Sequence, residues 1–267
     1  MTETKIGIVG LGFVGEAIRS SCDWGMGNVI CVDSDVRKGH VGTYAQLMGC
    51  EGIFVCVPSP TKDNGDCDTS ILEDVLNKLE GFEGVIISKV TAPPDVYQRL
   101  SKKYSNLVHA PEFLTAANAN RDYANAQWSI IGGDVRAYRH EAERIIKLTQ
   151  SQLKTIKFCS IGDAALAKYA INSFLATKVV FMNELYQLAE KAGLNYDVVT
   201  NLIKQDERIG VSHMRVPGTD GSLGFGGYCF PKDTMALLKY AEHVNSPMNV
   251  LESAVKKNTL LRLTEPK

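Results

Sequence analysis

A single cysteine, Cys229, lies at the end of a glycine-rich stretch and is followed within one turn by Lys232 and Asp233. The glycines, the cysteine and these two residues together make up the segment 224–233, which reads GFGGYCFPKD. Glycine has no Cβ, so backbone built from it can approach a ligand closely. A thiol held beside a cation and a carboxylate has the parts of an activated nucleophile. The stretch therefore predicts covalent chemistry on Cys229.

A second glycine-rich turn, Gly10-Leu11-Gly12-Phe13-Val14-Gly15, directly follows an apolar run that ends at Val9. Such a turn between a strand and a helix brings backbone N–H groups and the helix N-terminus to a pyrophosphate. A second apolar run, 29–32, ends in Asp33, 18 residues after Gly15. A carboxylate there suits the adenosine ribose diol and repels a 2′-phosphate. We therefore expect the turn to bind NAD in preference to NADP.

The composition is that of a soluble globular enzyme. The chain has 267 residues, of which 45% are hydrophobic and 22% charged, with a formal net charge of −1. That charge provides no basic field for nucleic acid or for an anionic membrane surface. Neither a signal peptide nor an apolar run of transmembrane length is present, so we expect a cytoplasmic protein with no nucleic-acid or membrane partner.

The seven cysteines are odd in number and lack CxxC spacing. This pattern is typical of reduced thiols in the cytoplasm and disfavours both a disulfide framework and a zinc site. The five histidines are scattered along the chain. We therefore predict no metal site.

Residues 1–160 alternate short apolar runs with segments of helical spacing, which predicts an α/β fold with a parallel, doubly wound sheet of the Rossmann type. The predicted later strands are 52–57, 84–88, 106–109 and 128–132, and the predicted helices between them are 70–79, 95–103 and 135–149. In such folds the loops after the strands, here around Thr91 and Glu112, bind ligands. We assign residues 1–160 to an NAD-binding domain.

Residues 161–267 form a second, all-helical domain in this interpretation. Residues 164–191 contain neither glycine nor proline, which predicts one long central helix capped by Asp163. Its apolar residues go most of the way round, so several of its faces must be covered. Further helices are predicted at 196–205, 232–243 and 250–263, with the glycine-rich loop 206–231 between the first two.

Together these segments closely resemble the UDP-glucose/GDP-mannose dehydrogenase family along almost the whole chain. Members of this family oxidise a primary alcohol on a nucleotide sugar to a carboxylate with two NAD⁺ in succession. The resemblance rests on residues 10–15, 57–61 (VPSPT), 89–93 (KVTAP), 111–114 (PEFL), Lys168 with Asn172, 183–185 (NEL), 206–210 (DERIG) and 224–233.

The resemblance implies that Cys229 holds the aldehyde intermediate as a thiohemiacetal, which a second hydride transfer converts to a thioester. Lys168 and Asn172, four residues apart and so on one helix face, stabilise oxyanion charge. The other implied catalytic residues are Asp233 with Thr91, for the water and the alcohol proton, and Glu112, for thioester hydrolysis.

The same resemblance assigns ligand contacts, with no metal among them. The cofactor contacts are Gly10, Leu11, Gly12, Phe13, Val14, Gly15, Asp33, Lys38, Ser59, Pro60, Thr91 and Lys232. The nucleotide-sugar contacts are Glu112, Phe113, Leu114, Lys168, Asn172, Arg208, Gly224, Phe225, Gly226 and Gly227.

Three features depart from the family pattern. Relatives have an acid where this chain has Ala116, and the segment from Asp33 to Ile53 is shorter than usual. The sequence also ends at Lys267, where relatives continue into a second Rossmann-like domain that grips the nucleotide. We expect a homodimer through helix 164–191, in which loop 206–222 of the partner covers the diphosphate. The alternative is a separate protein that supplies this cover.

Substrates other than UDP-glucose remain open. GDP-mannose dehydrogenases tend to have alanine at the position of Gly224, and UDP-N-acetylmannosamine dehydrogenases have histidine before the cysteine and no lysine before the aspartate. Tyr228, Lys232 and residues 208–210 favour UDP-glucose. The alternatives outside the family's chemistry are a two-electron β-hydroxyacid dehydrogenase, which has no use for Cys229, and a non-catalytic NAD-binding protein.

Overall fold

The computed structural model describes residues 4–22, 28–38 and 41–263. The chain divides into two compact units, one comprising Met1–Lys62 and Cys67–Lys168 and the other Asp63–Asp66 and Tyr169–Lys267. The predicted domain boundary at residue 160 stays a prediction, and the outer ends of the two predicted domains, residues 1 and 267, lie outside the described residues.

The first unit is built on a seven-stranded sheet with the order β2-β1-β3-β4-β5-β6-β7. Strands β1 to β5 pair in parallel, β6 is antiparallel to β5, and β7 is parallel to β6. Because β1 lies between β2 and β3, the strand order reverses there, which is where such sheets bind ligands. The strands are β1 Ile6–Val9, β2 Val29–Val32, β3 Gly52–Val55, β4 Val85–Ser88, β5 Leu107–His109, β6 Trp128–Gly132 and β7 Thr155–Cys159.

Helices cover both faces of this sheet. One buried apolar cluster contains Leu72, Leu76 and Leu100, and a second contains Ile18, Ala142 and Ile145. An apolar core on each face is the arrangement of a doubly wound α/β fold. The predicted fold class is therefore confirmed, with antiparallel pairing of β5 and β6 as the difference. The helices are α1 Phe13–Ser20, α2 Tyr44–Leu47, α3 Ser70–Lys78, α4 Pro94–Lys103, α5 Ala119–Ala124 and α6 Arg136–Thr149.

The second unit is helical. The long helix α7, Ile161–Ala192, has 32 residues and supplies the last residues of the first unit and the first of the second. At 1.5 Å per residue it is about 48 Å long. Within the described part of the chain, no helix is long and apolar enough to cross a membrane. The remaining helices are α8 Tyr196–Ile203, α9 Cys229–His243 and α10 Asn249–Arg262.

Two predictions about helix starts were wrong. Helix α7 starts at Ile161, and Ser160 caps it: its hydroxyl accepts from Asp163 N (3.1 Å) and donates to Asp163 Oδ2 (2.7 Å). This reciprocal pairing puts Asp163 in the first turn, where an acid is favourable, and not at the cap. Helix α9 starts at Cys229 and not at Lys232. Pro231 is compatible with the earlier start because the first turn has no need of its N–H.

Candidate active site

The glycine turn between β1 and α1 has the form that its sequence predicts. Gly10 has a φ of +91°, a conformation that favours glycine. A Cβ on Gly15 would lie 1.9 Å from the carbonyl oxygen of Gly10, so the helix packs directly on the turn. A Cβ on Gly12 would meet nothing within 4 Å. Backbone at Gly12 thus faces open space at the N-terminus of α1, which fits a pyrophosphate.

Asp33 ties the end of β2 to this turn. Its Oδ2 accepts from Leu11 N (2.5 Å), its Oδ1 accepts from Asp35 N (2.8 Å), and the Lys38 ammonium lies 3.1 Å from Oδ2. Burial would raise the pKa of Asp33, but the two backbone donors and Lys38 outweigh it and hold the pKa below its ordinary value. The carboxylate is therefore charged at neutral pH.

We expect Asp33→Asn to shift nucleotide preference toward NADP⁺. The substitution removes the charge that repels a 2′-phosphate and releases the Lys38 ammonium to pair with it. The ratio of the NADP⁺ to the NAD⁺ association constant should rise by about tenfold, or about 1.4 kcal/mol, in binding titrations. Adding Lys38→Met should cancel most of the gain. An unchanged ratio would show that Asp33 does not face the ribose.

A hydrogen bond joins the loops after β3 and β4. In the sheet, these two strands come directly after β1, the strand that leads into the glycine turn. The buried Ser59 hydroxyl donates to the carbonyl oxygen of Thr91 (2.7 Å). The half-buried Pro60 accepts from Asp68 N (2.7 Å). The turn, the acid after β2 and these loops all belong to the first unit and lie at the carboxyl ends of neighbouring parallel strands. The residues present therefore fit a dinucleotide, which binds at this edge in such sheets.

The buried Lys168 and the half-buried Glu112 form a pair in the first unit. The Lys168 ammonium donates to the Glu112 carbonyl oxygen (2.5 Å) and lies 3.8 Å from Glu112 Oε1. The Glu112 carboxylate also accepts from Leu114 N (2.7 Å), which folds the loop after β5 back on itself. Lys168 lies 5.1 Å from the ring centroid of Phe113, which stacks on Trp128. Four of the predicted residues are thus brought together.

Two buried basic residues beside this pair, Lys89 and His109, had no role predicted from the sequence. Lys89 follows β4 and is 5% exposed. His109 ends β5, stacks on Tyr97 with ring centroids 4.2 Å apart, and has Nδ1 3.1 Å from the carbonyl oxygen of Ser88. Burial lowers the pKa of His109 to about 3. A basic residue at the carboxyl end of a predicted buried strand is the signal that could have marked both.

The low pKa of His109 predicts loss of stability in mild acid. Below pH 6.5 an unfolded histidine binds a proton that the folded His109 refuses until about pH 3, so acid favours the unfolded state. From pH 6.5 to about 4.5 the free energy of unfolding should fall by up to about 1.4 kcal/mol per pH unit. Denaturant unfolding at several pH values should show that the free energy of unfolding depends less steeply on pH in His109→Gln than in the wild type. Equal pH dependence in the variant and the wild type would rule out His109.

In the second unit the predicted residues around Asp233 also meet. Asp233 is 1% exposed, and its two oxygens accept from Asn172 Nδ2 (2.5 Å) and from the Lys232 ammonium (2.6 Å). Cys229 is exposed and is the first residue of α9, four residues before Asp233. A helix N-terminus stabilises a thiolate, and the four-residue spacing puts both side chains on one face.

Two buried asparagines hold the glycine loop that precedes Cys229. Asn183 Oδ1 accepts from Gly224 N (3.0 Å). Asn258 contacts Phe225 twice, accepting from its N (2.7 Å) and donating to its carbonyl oxygen (3.0 Å). A Cβ on Gly224 would lie 2.4 Å from Asn258 Oδ1. Asn258 was not predicted from the sequence, because an asparagine in a helix is usually a surface residue.

The remaining predicted substrate contacts have diverse environments. Arg208 is exposed and pairs with Asp206 two residues earlier, its Nε lying 2.9 Å from Oδ1. Gly226 lies against the Arg262 guanidinium, and a Cβ on Gly227 would meet nothing within 4 Å. No group of three or more His, Cys, Asp or Glu residues in the described ranges 4–22, 28–38 and 41–263 could hold a metal ion.

Comparison with protein families identifies two matching regions. Residues 162–260 match the central domain of the UDP-glucose/GDP-mannose dehydrogenase family, and residues 41–150 match its NAD binding domain. The chain belongs to this family. The first unit therefore contains the family's NAD-binding domain. The glycine turn at 10–15 lies outside the matched region, so its assignment rests on its geometry.

Curated relatives agree with this membership, and a solved structure shares the fold. UDP-glucose 6-dehydrogenase of Rickettsia felis is 32% identical over 80% of this chain and 48% of its own length. UDP-glucose 6-dehydrogenase TuaD of Bacillus subtilis is 28% identical over 97% of this chain and 64% of its own length. A UDP-glucose dehydrogenase structure from Pyrobaculum islandicum shares the fold, with a TM-score of 0.80, 21% identity and coverage of 96% of this chain and 68% of that one. The chain thus spans about half to two thirds of these curated relatives.

Proposed function

We propose that this chain catalyses the NAD-dependent, four-electron oxidation of UDP-glucose to UDP-glucuronate. The observation that supports this best is the arrangement around α9, where Cys229 begins the helix and the buried Asp233 is held by Asn172 and Lys232. A two-electron dehydrogenase has no use for a thiol at that position. The proposed activity needs one, because the aldehyde must be retained between two oxidations.

The proposed reaction consists of two oxidations, an addition of the thiol between them and a final hydrolysis. The alcohol loses a hydride from carbon and a proton from oxygen, the latter to Asp233 with Thr91, and the aldehyde adds the Cys229 thiolate. The resulting alkoxide takes the proton back from Asp233 to give the thiohemiacetal. The thiohemiacetal then loses a second hydride from carbon and returns its hydroxyl proton to Asp233, which leaves a thioester. Water, activated by Glu112, releases the carboxylate and regenerates the thiol. NAD⁺ supplies two-electron acceptance and is needed twice.

Lys168 and Asn172 have an electrostatic role in this scheme. Both the thiohemiacetal and the hydrolytic intermediate carry developing negative charge on oxygen, and a preorganised ammonium and amide stabilise it. They lie four residues apart on α7. Gly12, Asp33, Lys38 and Ser59 are proposed to hold the cofactor, and Arg208 with residues 224–227 the sugar nucleotide.

The test is stoichiometric. Purified chain is mixed with excess NAD⁺ and a limiting amount of UDP-glucose, GDP-mannose, UDP-N-acetylmannosamine or 3-hydroxyisobutyrate, and NADH is counted by absorbance. We expect two NADH per UDP-glucose and UDP-glucuronate as the product by mass spectrometry. One NADH per hydroxyacid, with none from the nucleotide sugars, would favour a two-electron β-hydroxyacid dehydrogenase instead.

We also propose a homodimer through α7. Phe174, Phe181 and Leu188 repeat every seven residues on this helix and are 70%, 60% and 62% exposed. Seven residues are nearly two helical turns, so the three side chains form one stripe. Two other faces of the same helix are covered within the second unit, by clusters that include Val180 and Met182. A second copy would bury the stripe.

Phe181→Glu is expected to convert this dimer to a monomer. Two charges, one from each copy, would enter an apolar interface and weaken association by several kcal/mol, of the order of 1,000-fold. Sedimentation velocity at micromolar concentration measures the change. Glu190→Lys is the control, since Glu190 is exposed and lies about 180° round the helix from Phe181. A wild-type chain that is monomeric at these concentrations would contradict the proposal.

A further inference from the structure

The side chain of Lys89 is buried against aromatic rings in the first unit. It follows β4 and is 5% exposed, and its ammonium lies 5.9 Å from the ring centroids of both Phe54 and Tyr123. Among the residues that the structure describes, this ammonium makes neither a hydrogen bond nor an ion pair. Ring faces are a weak substitute for hydration, so the protonated form is disfavoured at this position.

Among the groups around it, Lys89 is the one that changes its charge with pH near neutrality. Burial lowers the pKa of Lys89 to about 8, against opposing effects of Cys56 and Glu112 and with a further lowering by Lys168. Burial also raises the pKa of Cys56 to about 12 and lowers that of His109 to about 3. Both of these neighbours are therefore uncharged between pH 6.5 and 9.5. The remaining charged neighbours are the paired Glu112 and Lys168.

The position of Lys89 places it toward the nicotinamide half of the dinucleotide. Asp33 follows β2 and the glycine turn follows β1, and these elements bind the adenosine and the pyrophosphate in sheets of this kind. The cofactor crosses the point where the strand order reverses, so its other half extends past β3 toward β4 and β5. Cys56, Lys89 and Glu112 follow those strands within a few residues, all in the first unit.

We propose that Lys89 discriminates between the oxidised and the reduced cofactor by its charge, disfavouring NAD⁺ relative to NADH when it is protonated. The two nucleotides differ by one positive charge on the nicotinamide ring. A nearby buried ammonium repels that charge, and the repulsion is strong where the dielectric constant is low. Loss of its proton removes the repulsion. The inference rests on the proposed function only in that the first unit binds the cofactor.

The sign of the pH dependence follows from linkage. The pKa of Lys89 must be lower in the NAD⁺ complex than in the NADH complex, so NAD⁺ binding gains on NADH binding as pH rises through about 8. At a separation of about 8 Å and an effective dielectric constant of about 20, the repulsion corresponds to roughly thirtyfold in relative affinity. The dissociation constant of NAD⁺ divided by that of NADH should therefore fall by about tenfold or more between pH 6.5 and 9.5.

Calorimetric titration of the full chain with each nucleotide, in the absence of sugar substrate, measures this ratio without any turnover. Lys89→Met should give a pH-independent ratio near the wild-type value at high pH. Lys89→Arg keeps its charge throughout and should give a pH-independent ratio near the wild-type value at low pH. Lys102→Met, an exposed lysine on α4, should behave like the wild type.

Three outcomes would overturn the inference: a wild-type ratio that does not change with pH, a ratio in Lys89→Met that still falls with pH, or a ratio that rises with pH. Lys168→Met distinguishes the two lysines, because it should preserve the fall and only move its midpoint upward. Failure of the proposed function looks different. A chain that binds neither nucleotide would refute cofactor binding itself, whereas one that binds both and turns over no sugar leaves the Lys89 test intact.

Discussion

Replacing Cys229 by alanine is expected to abolish formation of the sugar acid, by at least about 1,000-fold, without preventing the first hydride transfer. The thiol is needed only once the aldehyde exists. An aldehyde is a poor hydride donor, and addition of the thiol converts it into a thiohemiacetal that can be oxidised again. The variant should therefore release at most one NADH per UDP-glucose and accumulate the aldehyde, which a carbonyl-reactive hydrazine traps for mass spectrometry.

The control is Cys159→Ala, which removes a partly buried thiol from β7 in the first unit. It should retain two NADH per sugar. Cys229→Ser adds a second test, since a serine hydroxyl is a poorer nucleophile than a thiolate, and its ester, which hydrolyses more slowly than a thioester, should be detected as a mass adduct. Acid formation at the wild-type rate in Cys229→Ala would exclude the covalent role.

The second large effect concerns the second and third glycines of the dinucleotide turn, Gly12 and Gly15, which should respond to the same substitution in opposite ways. Gly15→Ala places a methyl group 1.9 Å from the Gly10 carbonyl oxygen and must move the helix or the turn. We expect it to cost about 3 kcal/mol or more of folding free energy. Gly12→Ala meets no protein atom within 4 Å and has an ordinary extended backbone, so it should cost less than about 1 kcal/mol.

For NAD⁺ binding, by contrast, we expect Gly12→Ala to have a large effect. The methyl group of Gly12→Ala would occupy the open space that backbone at Gly12 faces, and we expect NAD⁺ affinity to fall by about tenfold or more while the melting temperature barely changes. Thermal denaturation and calorimetric titration on the same samples separate the two effects. Normal NAD⁺ affinity in Gly12→Ala would show that the pyrophosphate lies elsewhere.

The sheet was largely predictable where the strands are apolar. Strands such as Ile6–Val9 and Gly52–Val55 are buried on both faces and therefore appear as continuous hydrophobic runs. Strand β7, Thr155–Cys159, was missed because it has no buried residue and contains a lysine. The antiparallel pairing of β5 with β6 could not be read from the sequence either, since an apolar run carries no direction.

The candidate site was predictable where its residues are close along the chain. Cys229 and Asp233 share one helix, and the spacing of Lys168 and Asn172 follows from helical periodicity. Long-range partners were not accessible in this way: Asn258 contacts Phe225 across 33 residues, and Lys89 lies against the ring of Tyr123 from helix α5. The catalytic roles themselves remain proposals.

The contact between Asn258 and Phe225 also bears on the order in which the protein matures. The loop before Cys229 is held by a residue of α10, the last described helix, so the loop cannot take its final form until that helix has been synthesised and has packed. Chains are made from the N-terminus, and earlier segments fold while later ones are still emerging. The nascent chain should therefore acquire its cofactor-binding turn long before its thiol is seated, and nucleotide binding should precede chemical competence during biosynthesis.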